Sequence, residues 1–272
     1  MDDYSDVMST ARPRSAAFFD LDKTIIAKSS TLAFSRSFFS EGLINRRSVL
    51  RSAYSQFVFA ISGADHDQLE KMRAYLTTLV AGWDVATVRQ AVSETLHDII
   101  DPLVYAEAVD LIRQHQAAGR DVVIVSASGS EVVEPIGELL GVDHVIATTL
   151  AEEDGKYTGE ITFYSYGPHK AEAMRALADL EGYDLDASFA YSDSETDVPM
   201  LEAVGHPFAV NPDKVLRRTA RERDWPVLTF SHPTELRGRF DHPATRAVAV
   251  AGLLGSAGVI AMALARRKIT RG

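Results

Sequence analysis

The sequence predicts an α/β fold: a Rossmann-like three-layer core with a mostly parallel sheet, plus a helical cap inserted after the first strand. Three observations predict it. Short apolar runs ending in polar residues recur at 15–20 (SAAFFD), 121–127 (DVVIVSA) and 188–193 (SFAYSD). Such continuous runs mark strands buried on both faces of a sheet. Helix-periodic segments separate the later runs, and that alternation implies parallel pairing. From 31 to 116, by contrast, apolar residues keep helical spacing and no strong strand signal interrupts them.

Taken in order, residues 1–13 are polar and acidic and read as a disordered leader, without the basic start and apolar run of a signal peptide. Residues 14–30 and 117–240 form the predicted core. Segments such as RRSVLRSAYSQFVFAI and VATVRQAVSETLHDII give 31–116 the character of a helical cap of four or so helices. A further helix starts at Pro102 and stops at Gly119. After the strand at 121–127 come a helix in SEVVEPIGELLG, a strand in HVIATTL and a hairpin turn at DGKYTG. KAEAMRALADLEG is a helix closed by Gly182, DVPMLEAVG is another, and PFAV and PVLTF are short strands.

Residues 241–272 form an Ala/Gly-rich tail. Within it, 247–265 is a 19-residue run without charge, holding seven Ala and three Gly and flanked by Arg246 and by Arg266, Arg267 and Lys268. Its length matches a bilayer span, its weak hydrophobicity a helix packed on protein, and its flanks a membrane-surface helix. The expected placement is cytoplasmic, with membrane contact through 247–265 left open.

Bulk composition narrows the function. A formal net charge of −10 leaves no basic excess for nucleic-acid binding. The absence of cysteine excludes disulfides, thiolate metal sites and cysteine catalysis. Four polar clusters fall at or beside predicted strand ends: Asp20-Leu21-Asp22-Lys23-Thr24, Ser126, Lys170, and Asp193 with Asp197. In open α/β sheets, ligands bind at the carboxyl ends of strands. Several ends of one sheet contributing polar residues point to a common site.

These clusters resemble, in order and separation, the four motifs of the haloacid dehalogenase-like phosphatases, in the branch containing phosphoserine phosphatase. DLDKT resembles the first motif, VVIVSAS the second, Lys170 at a helix head the third and SDSETD the fourth. The resemblance covers about 14–235. It implies a small phosphomonoester substrate and a Mg²⁺ cofactor. Asp20 would attack phosphorus and form an aspartyl-phosphate, and Asp22 would serve as acid and base. Thr24, Ser126 and Lys170 would bind the phosphate. Asp20, Asp193 and the backbone carbonyl of Asp22 would hold the metal, with Asp197 behind them orienting water and Lys170.

The substrate is less legible. Phosphoserine phosphatases carry a glutamate shortly after the first motif to read the substrate amine, whereas this stretch reads IIAKSSTLAF, with Lys28, Ser29 and Ser30. The aromatic residues between 34 and 59 read as the cap's own core. Together with the tail they make a lipid phosphate, such as phosphatidylglycerophosphate or lysophosphatidate, the second reading. A non-catalytic binding module ranks lower, because all four key carboxylates are present.

Overall fold

The computed structural model describes residues 14–30, 33–34 and 80–232. Its centre is a seven-stranded sheet in the order β4-β3-β2-β1-β5-β6-β7. The strands are β1 (Ala16–Phe19), β2 (Asp121–Gly129), β3 (His144–Glu153), β4 (Lys156–Phe163), β5 (Phe189–Ser192), β6 (His206–Val210) and β7 (Val227–Leu228). All neighbours pair in parallel except the β3–β4 hairpin.

The period of two along each strand builds the layers. Ala17, Phe19, Val122 and Ile124 face one side, while Ala16, Phe18, Val123 and Val125 face the other. Helices α1 (Val85–Ile100), α2 (Ala106–Ala117) and α3 (Ser130–Leu140) cover the first side, through residues such as Leu96, Ile112 and Ile136. Helices α4 (Pro168–Glu181), α5 (Val198–Leu201) and α6 (Lys214–Glu222) cover the second, through Met174, Met200 and Leu216. Phe18 and Phe19 are fully buried, one on each side, and each burial stabilises by roughly 1.5–3 kcal/mol. The three-layer arrangement expected from the sequence is the one observed.

Local chemistry sets the helix ends. The Asp84 carboxylate accepts the Thr87 N–H at 2.8 Å and caps α1. Gly182 closes α4 at φ +74°, a left-handed conformation that costs glycine little.

The segments 25–27 and 103–105 pair with each other. Ala27 N donates to Leu103 O at 2.8 Å, and Tyr105 N to Ile25 O at 2.9 Å. Helix α2 follows this pairing, and its buried Ala108, Val109 and Ile112 share a cluster with Ala17, Phe19 and Val122. Both α1 and α2, which fall in the span expected as cap, pack on the same side of the sheet. An amphipathic helix on a sheet and one in an insert have the same 3.6-residue period, so periodicity alone does not separate them.

DVPMLEAVG, which begins at the last residue of a 3-10 turn (Glu195–Asp197), holds only four α-helical residues, Val198–Leu201. The leader, most of the insert (31–32 and 35–79) and the tail with 247–265 lie outside the described residues. Among the described residues, no helix is long and apolar enough to cross a membrane.

Candidate active site

The first, second and fourth clusters meet at the carboxyl ends of β1, β2 and β5. Register puts Phe19 level with Ile124 on one neighbour and Tyr191 on the other. Asp20 N still donates to Tyr191 O at 2.9 Å, so the chain keeps its strand direction through Asp20 before turning. The turn folds around the Leu21 carbonyl, which accepts the amides of Ile25 and Ile26 at 2.9 and 3.0 Å. Lys23 takes the left-handed conformation at φ +65° within it.

Lys170 comes from the first turn of α4, just after Gly167 at φ +54° and Pro168. Its side chain is buried and runs to the sheet. Nζ donates to Asp20 Oδ1 at 2.6 Å and to Asp197 Oδ2 at 2.8 Å. Thr24 Oγ1 donates to Asp20 Oδ2 at 3.3 Å, so both oxygens of Asp20 have partners.

Asp22 is held separately. Its Oδ1 accepts the backbone N–H of Ser30 at 2.5 Å, and its Oδ2 accepts the hydroxyl of Ser128 at 2.8 Å. Ser126 Oγ accepts the Ser128 N–H at 3.1 Å, which leaves the Ser126 hydroxyl hydrogen available to a ligand oxygen.

The same turn recurs at β5. Ser192 Oγ accepts the Ser194 N–H at 3.2 Å and donates to Asp197 Oδ2 at 2.7 Å. Asp193 lies between them and is 8 % exposed. Asp213 ties this loop down from the start of α6. Its Oδ2 accepts Glu195 N at 2.8 Å, its Oδ1 accepts Val215 N and Leu216 N, and its own N–H donates to Asp193 O at 2.9 Å. Asn211 braces the next strand end, exchanging two hydrogen bonds with the Phe230 backbone.

Electrostatically the site is short of positive charge. Burial drives Asp20 well above the usual carboxylate range, against the pull of Lys170 and with a further push from Asp197, Asp193 and Asp22. Burial raises Asp193 to about 7, partly offset by Lys23. Burial also raises Asp22, although its hydrogen bonds from Ser30 and Ser128 oppose the shift. For Lys170 burial would lower the pKa, but Asp197 and Asp20 outweigh it and hold the ammonium charged. Asp197 Oδ1 is buried and accepts no hydrogen bond from the described residues.

Among the described residues, Lys170 is the one buried cation beside these four carboxylates. Such a site accommodates a hard divalent cation, since Asp20 and Asp193 supply oxygen donors and the cation offsets their mutual repulsion. Among the described residues no three His, Asp or Glu side chains form a metal set by themselves. Asp20 and Asp193 could supply two carboxylates to such a cation, with a backbone carbonyl and water completing the set, an arrangement Mg²⁺ tolerates.

The structure brings Asp20, Thr24, Lys170 and Asp197 into one bonded group and sets Asp22, Ser126 and Asp193 around its edge. Sequence reasoning missed three contributors. Ser30 registered only as a missing acid and Ser128 only as part of a strand end, and Asp213, the last residue of AVNPD, was given no role. A signal for Ser128 was present: Ser-x-Ser occurs at 126–128 as it does at 192–194, and in both the first hydroxyl accepts the third residue's amide.

Comparison with known proteins adds independent findings. A family model described as haloacid dehalogenase-like hydrolase matches residues 17–202. A Mycobacterium tuberculosis protein named a probable phosphatase is 60% identical over 260 residues, covering 94% of this chain and 91% of that protein. Another from the same species, named phosphoserine phosphatase, is 34% identical over 259 residues, covering 94% of this chain and 82% of that one. A solved structure of a Bordetella pertussis protein of unknown function is 32% identical with a TM-score of 0.71, covering 79% of this chain and 98% of that one.

Proposed function

The chain belongs to the haloacid dehalogenase-like hydrolases, and on that premise we propose that it is a phosphatase cleaving small phosphomonoesters through an aspartyl-phosphate on Asp20. The observation that carries this reading is the buried Lys170 lying between Asp20 and Asp197 at the carboxyl end of β1. A buried lysine in this place opposes the protonation that burial favours at Asp20 and meets an incoming phosphate with charge.

In the proposed reaction a carboxylate oxygen of Asp20 attacks phosphorus and the P–O bond to the leaving alcohol breaks. Asp22 delivers a proton to that leaving oxygen. Water then attacks the phosphorus of the acyl phosphate, Asp22 takes its proton, and Asp20 is restored. Thr24, Ser126 and Lys170 hold phosphate oxygens during both steps. Asp20, Asp193 and the carbonyl of Asp22 would hold Mg²⁺, which would supply charge neutralisation for the phosphoryl oxygens when bound.

The substrate proposal stays at the level of small phosphomonoesters. Phosphoserine enters through the named relative, but Ser30 spends its amide and its hydroxyl on Asp22 and Ser128 and is fully buried. Position 30 therefore offers no charge to a substrate amine. The lipid-phosphate reading rests on the aromatic residues between 34 and 59 and on 247–265, of which only Phe34 is among the described residues.

A panel of phosphomonoesters assayed with Mg²⁺, with and without chelator, tests the proposal. Turnover that disappears in Asp20→Asn and on chelation supports it. Turnover that survives both rejects the covalent, metal-assisted route.

A further inference from the structure

We propose that Ser128 and Ser30 form a brace that aims Asp22 at the leaving-group oxygen, making them positioning residues for proton transfer. The inference rests on reading Asp22 as the proton donor. Its basis is a continuous chain of oxygens: Ser30 Oγ donates to Ser128 Oγ at 2.9 Å, and Ser128 Oγ donates to Asp22 Oδ2 at 2.8 Å. The second oxygen of Asp22 is fixed independently by the Ser30 amide at 2.5 Å.

An aspartate at the end of a turn has two free side-chain torsions. One hydrogen bond to one oxygen leaves the carboxyl plane free to swing, whereas bonds to both oxygens from two separate elements fix it. Here the two elements are the segment after β1 and the end of β2. Ser30 lies in a helical turn, since Ala33 N donates to Ser29 O at 3.0 Å. Its N–H is thus an early helix amide, a natural partner for a carboxylate. Ser128 is held by its own N–H on Ser126 Oγ, so the brace is tied to the residue assigned to the phosphate. Both hydroxyls are out of water, with Ser30 0% and Ser128 8% exposed.

Proton delivery needs heavy-atom reach of about 2.6–3.2 Å. A misplacement near 1 Å costs about 10²-fold. That cost depends on the leaving group. An alkoxide must be protonated as it departs, whereas nitrophenolate departs unaided. Loss of the brace therefore affects alkyl phosphates and spares nitrophenyl phosphate. A role confined to fold stability would affect both substrates alike.

The experiment uses the full chain with Mg²⁺ and follows leaving-group release in a single turnover. The substrates are p-nitrophenyl phosphate and whichever alkyl phosphate the wild type cleaves fastest. Ser128→Ala is expected to slow alkyl phosphate cleavage about 10²-fold and nitrophenyl phosphate less than about 3-fold, with KM little changed. Ser30→Ala keeps the amide and is expected to move the same way by about 10-fold. Ser128→Thr, which keeps the hydroxyl, should recover more alkyl phosphate cleavage than alanine does.

Thermal melts identify which variants fold. Should Ser128→Ala unfold, Ser30→Ala decides. Asp22→Asn separates the two ways of failing. If Asp22→Asn slows both substrates equally, Asp22 is not the donor and the brace falls with it. If Asp22→Asn discriminates while the folded serine variants slow both substrates equally or not at all, the brace alone is wrong.

Discussion

Lys170 Nζ lies 2.6 Å from Asp20 Oδ1, with the two side chains 3% and 8% exposed. The same nitrogen reaches Asp197 Oδ2 at 2.8 Å, so one ammonium serves two buried carboxylates. Removing it leaves both unpaired, a change that typically costs about 3–5 kcal/mol. Lys170→Met is therefore expected to lose activity by about 10²–10³-fold and to melt early. The sign of its pH dependence follows from the orphaned acids. Asp20 is already raised by burial, and without the lysine it rises further above its unfolded value, so the penalty is largest at high pH and shrinks as Asp20 protonates. Melting temperatures at pH 8 and pH 5 check this, with the larger deficit expected at pH 8.

Asp213 holds the loop that carries Asp193 and Asp197 while capping α6. Asp213→Ala is expected to lose about 1 kcal/mol from the cap alone. Release of the Glu195 amide should also loosen Asp193 and raise the Mg²⁺ concentration needed for half-maximal turnover. Metal-induced stabilisation gives a readout without activity: the melting temperature of the variant should respond to Mg²⁺ only at higher concentration than that of the wild type. Asp213→Asn, which can still cap, should lie between them.

His115 sits beneath the sheet ends, 2% exposed, with Nε2 2.9 Å from the Tyr191 hydroxyl. Its Nδ1 accepts from Arg120 Nε at 2.7 Å, which fixes the proton on Nε2. Burial, with Arg120 adding to it, lowers its pKa from 6.5 to about 4. Between these values the unfolded chain binds the extra proton and the folded one does not. Stability from this group is thus complete above 6.5 and is lost as pH falls toward 4, a swing of roughly 3 kcal/mol. Urea midpoints between pH 4 and 7 should show that slope, and His115→Gln should flatten it at the cost of overall stability.

Two glycines should respond differently to alanine. A Cβ on Gly205 would lie 1.8 Å from the Asp186 carbonyl oxygen, so the loop before β5 would have to move. Gly205→Ala is expected to cost about 3 kcal/mol or more. Gly141 has open space around it, but its φ of +66° strains any side chain, so Gly141→Ala should cost about 1–2 kcal/mol. Denaturant unfolding of both variants tests the order.

The sequence by itself determined the layers and where polar residues gather at the strand ends. Continuous apolar runs such as AAFF and VVIV are stable only when buried on both faces, and a polar residue directly after such a run must emerge at the sheet edge. Asp20, Ser126 and Asp193 were legible for that reason. Strand alternation fixed the parallel sheet, and Gly182 fixed where α4 stops. Tertiary structure alone decided which polar groups touch. Lys170 is 150 residues from Asp20, and only the packing of α4 on the sheet brings Nζ to it. Ser128 reaches Asp22 across 106 residues because β1 and β2 are adjacent in the sheet order. Asp213 clasps the Asp193 loop because β6 lies beside β5. The same cause packed α1 and α2 on one side of the sheet, since a helix's periodicity records that one face is buried and not what buries it. Sequence records the preference of each residue for burial and local geometry; the partner in a hydrogen bond is chosen by strand order and helix docking, which are properties of the whole chain.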